Sequence, residues 1–131
     1  MLVKKLIADE RDERYKYLLK HGMIHFVEQE THTLFVELPQ IPNIMIVYRK
    51  PSIRKRDPHS IQLVGKQLRH IPLLEGEEGI KRFDLKQNKI VKIENLVSLP
   101  KLEMLNLSFN LVTEINNLKT EKLKLLNLSN N

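Results

Sequence analysis

Three stretches in the second half of the chain carry one pattern: Ile80-Lys-Arg-Phe-Asp-Leu-Lys-Gln-Asn88, Leu102-Glu-Met-Leu-Asn-Leu-Ser-Phe-Asn110 and Leu123-Lys-Leu-Leu-Asn-Leu-Ser-Asn-Asn131. Each reads LxxLxLxxN, with isoleucine or phenylalanine admitted at the apolar positions, and the asparagines stand 22 and then 21 residues apart. Behind the first two asparagines the apolar residues recur at matching offsets, Ile90, Ile93, Leu96 and Leu99 in one unit and Val112, Ile115 and Leu118 in the next. Self-similarity at this period marks an array of stacked coils, in which each unit buries its apolar edge against its neighbours.

One period upstream lies a degenerate copy. Ile61, Leu63, Leu68, Ile71, Leu74 and Ile80 precede Phe83, Leu85, Ile90, Ile93, Leu96 and Leu102 by the same offset, so the array begins near Pro58. Lys66 stands where the asparagine is expected, which reads as an end effect, because the terminal unit of a stack lacks a neighbour on one side. The units are then 58–79, 80–101, 102–122 and a truncated 123–131. Leu73-Leu-Glu-Gly-Glu-Glu-Gly79 reads as an elaborated turn, and the third unit is one residue short around residues 117–122.

The spacing has a physical reason. In LxxLxL the fourth and sixth residues share one face of a short strand, since successive side chains point to opposite sides. Stacking such strands in parallel buries both, and the asparagine amide can then satisfy backbone groups of the turn and of the adjacent coil. Asn88, Asn110 and Asn131 are the expected ladder; the plainer alternative makes them ordinary turn residues.

The chain has 131 residues, 41% of them hydrophobic and 29% charged, which suits a soluble folded chain of one domain or of a solenoid with a small appendage. The net charge of +6 divides evenly, because residues 1–57 and 58–131 each hold 11 basic and 8 acidic side chains. Neither part is a polybasic arm, and contact with nucleic acid or an acidic protein is permitted without being required. The first residues are interrupted by charge too early for a secretory signal, and no apolar run approaches membrane-spanning length.

Residues 2–20 read as a helix of strong helix formers closed by Gly22, with the charged centre Asp9-Glu-Arg-Asp-Glu-Arg14 either a solvated face or a partner-binding one. Three runs of strand formers follow, Met23 to Val27, Thr33 to Leu38 and Ile44 to Tyr48, the first two as a hairpin. This small α+β segment, residues 1–57, is expected to cap the first coil, since so short a chain makes a thin core alone. Residues 49–57 read as a basic linker. Within it Arg49, Lys50, Arg54, Lys55 and Arg56 are polyanion candidates beside Ser52, a candidate kinase substrate.

The 22-residue unit, as in Phe83-Asp-Leu-Lys-Gln-Asn-Lys-Ile-Val-Lys-Ile-Glu-Asn-Leu96, resembles the intracellular leucine-rich-repeat class typified by a regulatory subunit of protein phosphatase 1. Within that class, Pro72-Leu-Leu-Glu-Gly-Glu-Glu-Gly79 and the repeat after it are similar to the start of the solenoid in leucine-rich-repeat subunits of tubulin polyglutamylase complexes. The resemblance covers residues 58–131 and implies an α/β fold. A leucine-rich-repeat solenoid with parallel strands and a short or irregular convex side would follow the α+β N-terminal segment. It also implies a non-catalytic scaffold without cofactor, in a cytoplasmic setting that includes cilium, centrosome and microtubule cytoskeleton. Extracellular members close their ends with disulfides, so the absence of cysteine agrees with a reducing compartment.

In such a solenoid the sheet lines the concave side, and the residues alternating with the buried leucines face outward. Arg82, Asp84, Lys86, Met104, Asn106 and Leu125, with Phe109 beside them, form the expected partner-binding face, in which apolar residues are ringed by polar ones. Phe109 packed into the turn is the alternative. A protein partner is expected and no membrane; nucleic acid through the basic linker is the second reading, and a regulatory subunit of a phosphatase or other enzyme the third. There is no cysteine, no phosphate-cradling glycine loop and no HExxH; His21 and His25 are four apart but with Gly22 between them, and His32, His59 and His70 lack ligand spacing for a metal. Leu123, Leu126 and Leu128 would leave a bare apolar edge, so the chain is expected to be part of a longer polypeptide or a larger assembly.

Overall fold

The computed structural model describes residues 25–30, 33–37, 45–49, 51–74 and 76–131, and the helix expected over residues 2–20 lies outside them. From residue 58 onward the chain winds as a stack of coils. Each coil contributes one three-residue strand: β4 (Ser60–Gln62), β6 (Arg82–Asp84), β7 (Met104–Asn106) and β8 (Leu125–Asn127). They pair in parallel in the order β4-β6-β7-β8. The register is one coil per step: Ile61, Phe83, Leu105 and Leu126 lie in one row, between the rows of Ser60 and Gln62.

Alternation decides what faces inward. Phe83, Leu85, Leu105 and Leu107 are fully buried, and Ile90, Ile93, Leu99 and Leu102 complete the core on the far side of each coil. Each such side chain contributes about 1.5–3 kcal/mol by leaving water. In the last coil Leu123, Leu126 and Leu128 are only partly buried, because the covering a coil receives comes from both neighbours. Ile115, expected inside with Ile93, is 67% exposed for the same reason. Between the strands the backbone of the far side forms turns rather than helices.

The first coil has a second residue of positive φ, Gln67 (57°), but every coil turns after its strand through one at a fixed position. Gly65 (65°), Gln87 (59°), Phe109 (56°) and Asn130 (59°) occupy this position. Left-handed backbone costs a residue with a Cβ about 1–2 kcal/mol, less for asparagine, so the turn is imposed by the stack rather than by its own residues.

The front segment builds a second sheet. Its strands are β1 (His25–Glu30), β2 (Thr33–Glu37) and β3 (Met45–Arg49), rich in Phe, Val, Ile and Thr. β1 and β2 pair antiparallel with a register shift between Phe26 and Glu28, and β2 pairs antiparallel with β3. β1 extends to Glu30, beyond the run of strand formers that ends at Val27. The fourth strand of this sheet is β5 (Leu73–Leu74), parallel to β3 and part of the first coil. The segment read as an elaborated turn therefore begins with a strand, and the boundary expected at residue 57 is crossed by a sheet. Val47 of β3 joins the solenoid core.

The expected linker is also ordered. Helix α1 (Pro51–Arg56) starts on a proline, whose fixed φ suits a first helical turn. It stops before Pro58, which disfavours helical backbone in the residue preceding it. Arg54, Lys55 and Arg56 occupy its last turn, where positive charge meets the free carbonyls.

Arg49 at the end of β3 is 5% exposed and Glu77 is 4% exposed. The guanidinium grips the carboxylate with two bonds, Nε to Oε2 at 2.5 Å and an Nη2 nitrogen to Oε1 at 3.0 Å. It also donates to the carbonyls of Ser60 and Asp57, at 3.2 and 3.0 Å. One side chain thus joins the front sheet, the end of α1, the first coil and the loop behind β5. The chain reaches Glu77 through Gly76 (φ 73°), where an added Cβ would lie 2.4 Å from the Arg54 guanidinium.

Removing one member of this pair leaves a buried charge unpaired. Glu77→Ala is expected to lower stability by about 3–5 kcal/mol, and Arg49→Met combined with Glu77→Leu to recover most of it. Guanidinium denaturation of the three proteins measures this; a double variant no better than Glu77→Ala would show that the two side chains are not coupled.

Candidate interaction face

The sheet of the stack exposes the residues that alternate with the buried row. Ser60, Arg82, Met104 and Leu125 form the first outward row. Leu125 is 58% exposed, Met104 is half-buried, and Arg82 lies across the row with its Nε donating to the Ser60 hydroxyl at 2.8 Å. Beside it runs a row of alternating charge, Lys81, Glu103 and Lys124. The Lys124 ammonium, 3.3 Å from Glu103, hydrogen-bonds to that carboxyl and, with Lys81 and Arg82, holds its pKa below the usual range.

Asp84 and Asn106 stand in the other outward row, but part of each side chain is engaged locally. Asp84 Oδ1 accepts the Lys86 N–H at 3.1 Å, and Asn106 Oδ1 accepts the Ser108 N–H at 3.0 Å, as Asn127 does for Ser129. These are turns capped by the side chain two residues earlier. Ser108, which alternation along the strand would place outward, is buried, and its hydroxyl donates to Asn106 Oδ1 at 2.7 Å. Lys86 is exposed. Phe109 does not lie on the sheet. It occupies the left-handed turn after β7 and is 54% exposed.

The asparagines tie each coil of this surface to the coil before it. Asn88 Oδ1 accepts the N–H groups of Lys66 and Leu68, and its Nδ2 donates to the carbonyls of Leu63 and Leu85. Asn110 repeats the pattern one coil on, with Ile90 N–H as donor and Leu85 and Leu107 carbonyls as acceptors. Asn131 does so with Val112, Leu107 and Leu128. A second ladder went unread in the sequence: Asn95 and Asn117, both with positive φ, donate to the carbonyls of Ile71 and Ile93 at 2.8 and 3.0 Å. Their spacing of 22 residues was the available signal.

The polyanion candidates separate. Arg49 is committed to Glu77, and Arg54 is half-buried with a bond to the Gly76 carbonyl at 3.3 Å. Lys55 and Arg56 are exposed, while Lys50 lies outside the described residues. A cleft of about 300 Å³ between α1 and β4 is lined by Arg49, Ile53, Asp57 and the strand itself. Its cation already has a partner. Among the described residues no helix is long and apolar enough to cross a membrane.

Residues 79–120 match the family model described as Leucine Rich repeats (2 copies). That stretch comprises the two coils with the most regular asparagines, and the parallel one-strand-per-coil sheet is the architecture of a leucine-rich-repeat solenoid. Such domains are typically protein-binding. No curated protein and no solved structure matches the chain significantly.

The ladder predicts an order of costs. Asn110→Ala strips the buried Ile90 N–H of its partner, takes one of two donors from the Leu85 carbonyl and leaves a cavity, so a loss of about 2–4 kcal/mol is expected. Asn117→Ala, with one bond across to the preceding coil on an exposed residue, is expected to cost about 1 kcal/mol. Urea denaturation monitored by circular dichroism ranks the two, and the reverse order would contradict the bridging role of Asn110.

Proposed function

We propose that this chain is a non-catalytic protein-interaction scaffold that holds a protein partner against its sheet face. The observation that carries the reading is the outward row Arg82, Met104 and Leu125: an exposed leucine and a half-buried methionine beside an arginine, on strands locked in register. Apolar area at the centre and charge at the rim is how protein interfaces are arranged. A surface fixed by backbone and asparagine bonds also loses little freedom on binding, which favours affinity.

The resemblance to the intracellular 22-residue class supports a cytoplasmic setting, with cilium, centrosome or microtubule cytoskeleton as the context. The similarity to polyglutamylase-complex subunits supports the same setting. A regulatory role toward a phosphatase or other enzyme differs from this reading only in the partner's identity. Nucleic-acid binding through the 49–56 cluster is weakened by the inward commitment of Arg49 and Arg54.

The test is capture on the immobilised wild-type chain followed by mass spectrometry, with Leu125→Glu and Met104→Gln in parallel. A protein partner retained through 200 mM salt is expected, because apolar docking resists salt whereas a set of six to ten phosphate contacts loses about 10³–10⁵ in affinity over that range. Leu125→Glu should weaken that partner about thirtyfold. Recovery of polynucleotide alone, or a partner indifferent to both substitutions, would overturn the reading.

A further inference from the structure

Val91, Phe109 and Leu111 stand clear of the core, 47%, 54% and 56% exposed. The stack brings them to one place. Phe109 and Leu111 flank the ladder residue Asn110, and the Leu111 N–H donates to the Ile90 carbonyl at 2.9 Å, which sets it beside Val91. The fold does not ask for apolar side chains here. The other coils place Gly65, Gln87 and Asn130 where Phe109 stands, and Lys89 where Leu111 stands. Phe109 moreover holds φ at 56°, a conformation an aromatic residue rarely adopts.

The surroundings are basic. Lys86 precedes the turn in the neighbouring coil, Lys89 lies one coil before Leu111, and Arg69 follows Leu68, whose carbonyl accepts the Lys89 N–H at 2.8 Å. All three are exposed, and none is joined to a carboxylate among the described residues. The nearby acids are engaged elsewhere: Glu94 meets His70 and Lys92, and Glu114 accepts from Asn116.

We propose that this turn-side surface docks an acidic polypeptide segment carrying an aromatic or branched aliphatic anchor. It does not include the sheet row of Arg82, Met104 and Leu125 and goes beyond the function assigned to that row. The anchor fills the space between Val91, Phe109 and Leu111, while flanking carboxylates meet Lys86, Lys89 and Arg69. A second copy of this chain, with its net charge of +6, would bring like charge to the same cations. A nucleic acid would engage the lysines and leave the aliphatic side chains unused.

Fluorescence anisotropy with a panel of labelled synthetic peptides tests this, each rich in Glu and Asp around a central Phe or Leu. Controls carry serine for the anchor or lysine for the acids. Wild-type protein is expected to bind at least one acidic anchored peptide, and Phe109→Asn to weaken it about thirtyfold or more. Asn130 shows that asparagine is accommodated at this turn position, and far-UV circular dichroism checks the fold of the variant. Lys86→Glu with Lys89→Glu should weaken binding and reduce its salt dependence, whereas Leu125→Glu should change it less than about twofold. No binding by any acidic anchored peptide, equal binding of the serine control, or a loss in Leu125→Glu matching that in Phe109→Asn would overturn the proposal. So would a Phe109-dependent dimer in sedimentation, or displacement of the peptide by a single-stranded oligonucleotide in wild-type and Phe109→Asn alike.

Discussion

An asparagine amide bonded at once to its own coil and to the coil before it keeps the strands of this protein at a single register. A strand of three residues offers few backbone bonds, and a parallel pair that short has little to prevent it from sliding. Asn110 supplies the missing constraint. Its oxygen accepts from Ile90 and its nitrogen donates to Leu85 and Leu107, so a slip of one residue would break bonds to both coils and turn Phe83 and Leu105 toward water. The outward row of Arg82, Met104 and Leu125 exists as a surface because this constraint holds.

Among the described residues no coil precedes the first for it to bridge to, and there the structure changes method. Lys66 replaces the asparagine, and the coil is held instead from the other direction, by β5 entering the sheet of the front segment and by Arg49 reaching Glu77. A buried ion pair gains little net energy over a well-packed apolar one, but its bonds to the Ser60 and Asp57 carbonyls set an orientation that a leucine would not. The end of the array is thereby tied to the front segment by both backbone and charge.

The recurring part of the fold was legible from spacing alone. Leu85 and Leu107 had to share a face, and Asn88 and Asn110 had to line up, because repetition at a fixed interval has one economical geometry. What could not be read were contacts without a repeat. Nothing in Arg49 or in the Glu-Gly-Glu-Glu run announces that residues 28 apart will meet in the interior. Leu73-Leu74 was too short to read as a strand, and it pairs with a partner that local pattern does not reveal. Nor was the burial of Ser108 visible, since alternation along the strand places it outside; its counterpart Ser129 makes the same hydroxyl bond yet is exposed, so what buries Ser108 is its place between two coils. Asn95 and Asn117 recur at the repeat interval, but their bridges form from left-handed backbone that spacing alone does not show.

The bridges also have a shared length along the chain. Those of the main ladder between coils join residues 19 to 25 apart, whichever coil they serve. Each therefore closes a loop of nearly the same size, and the entropy lost on closure is nearly uniform from one end of the stack to the other. Folding that begins in any adjacent pair of coils can spread by equal steps, so the order of events is set by which pair is apolar enough to start. In this chain that is the pair centred on Phe83 and Leu105, where both members are sealed from solvent.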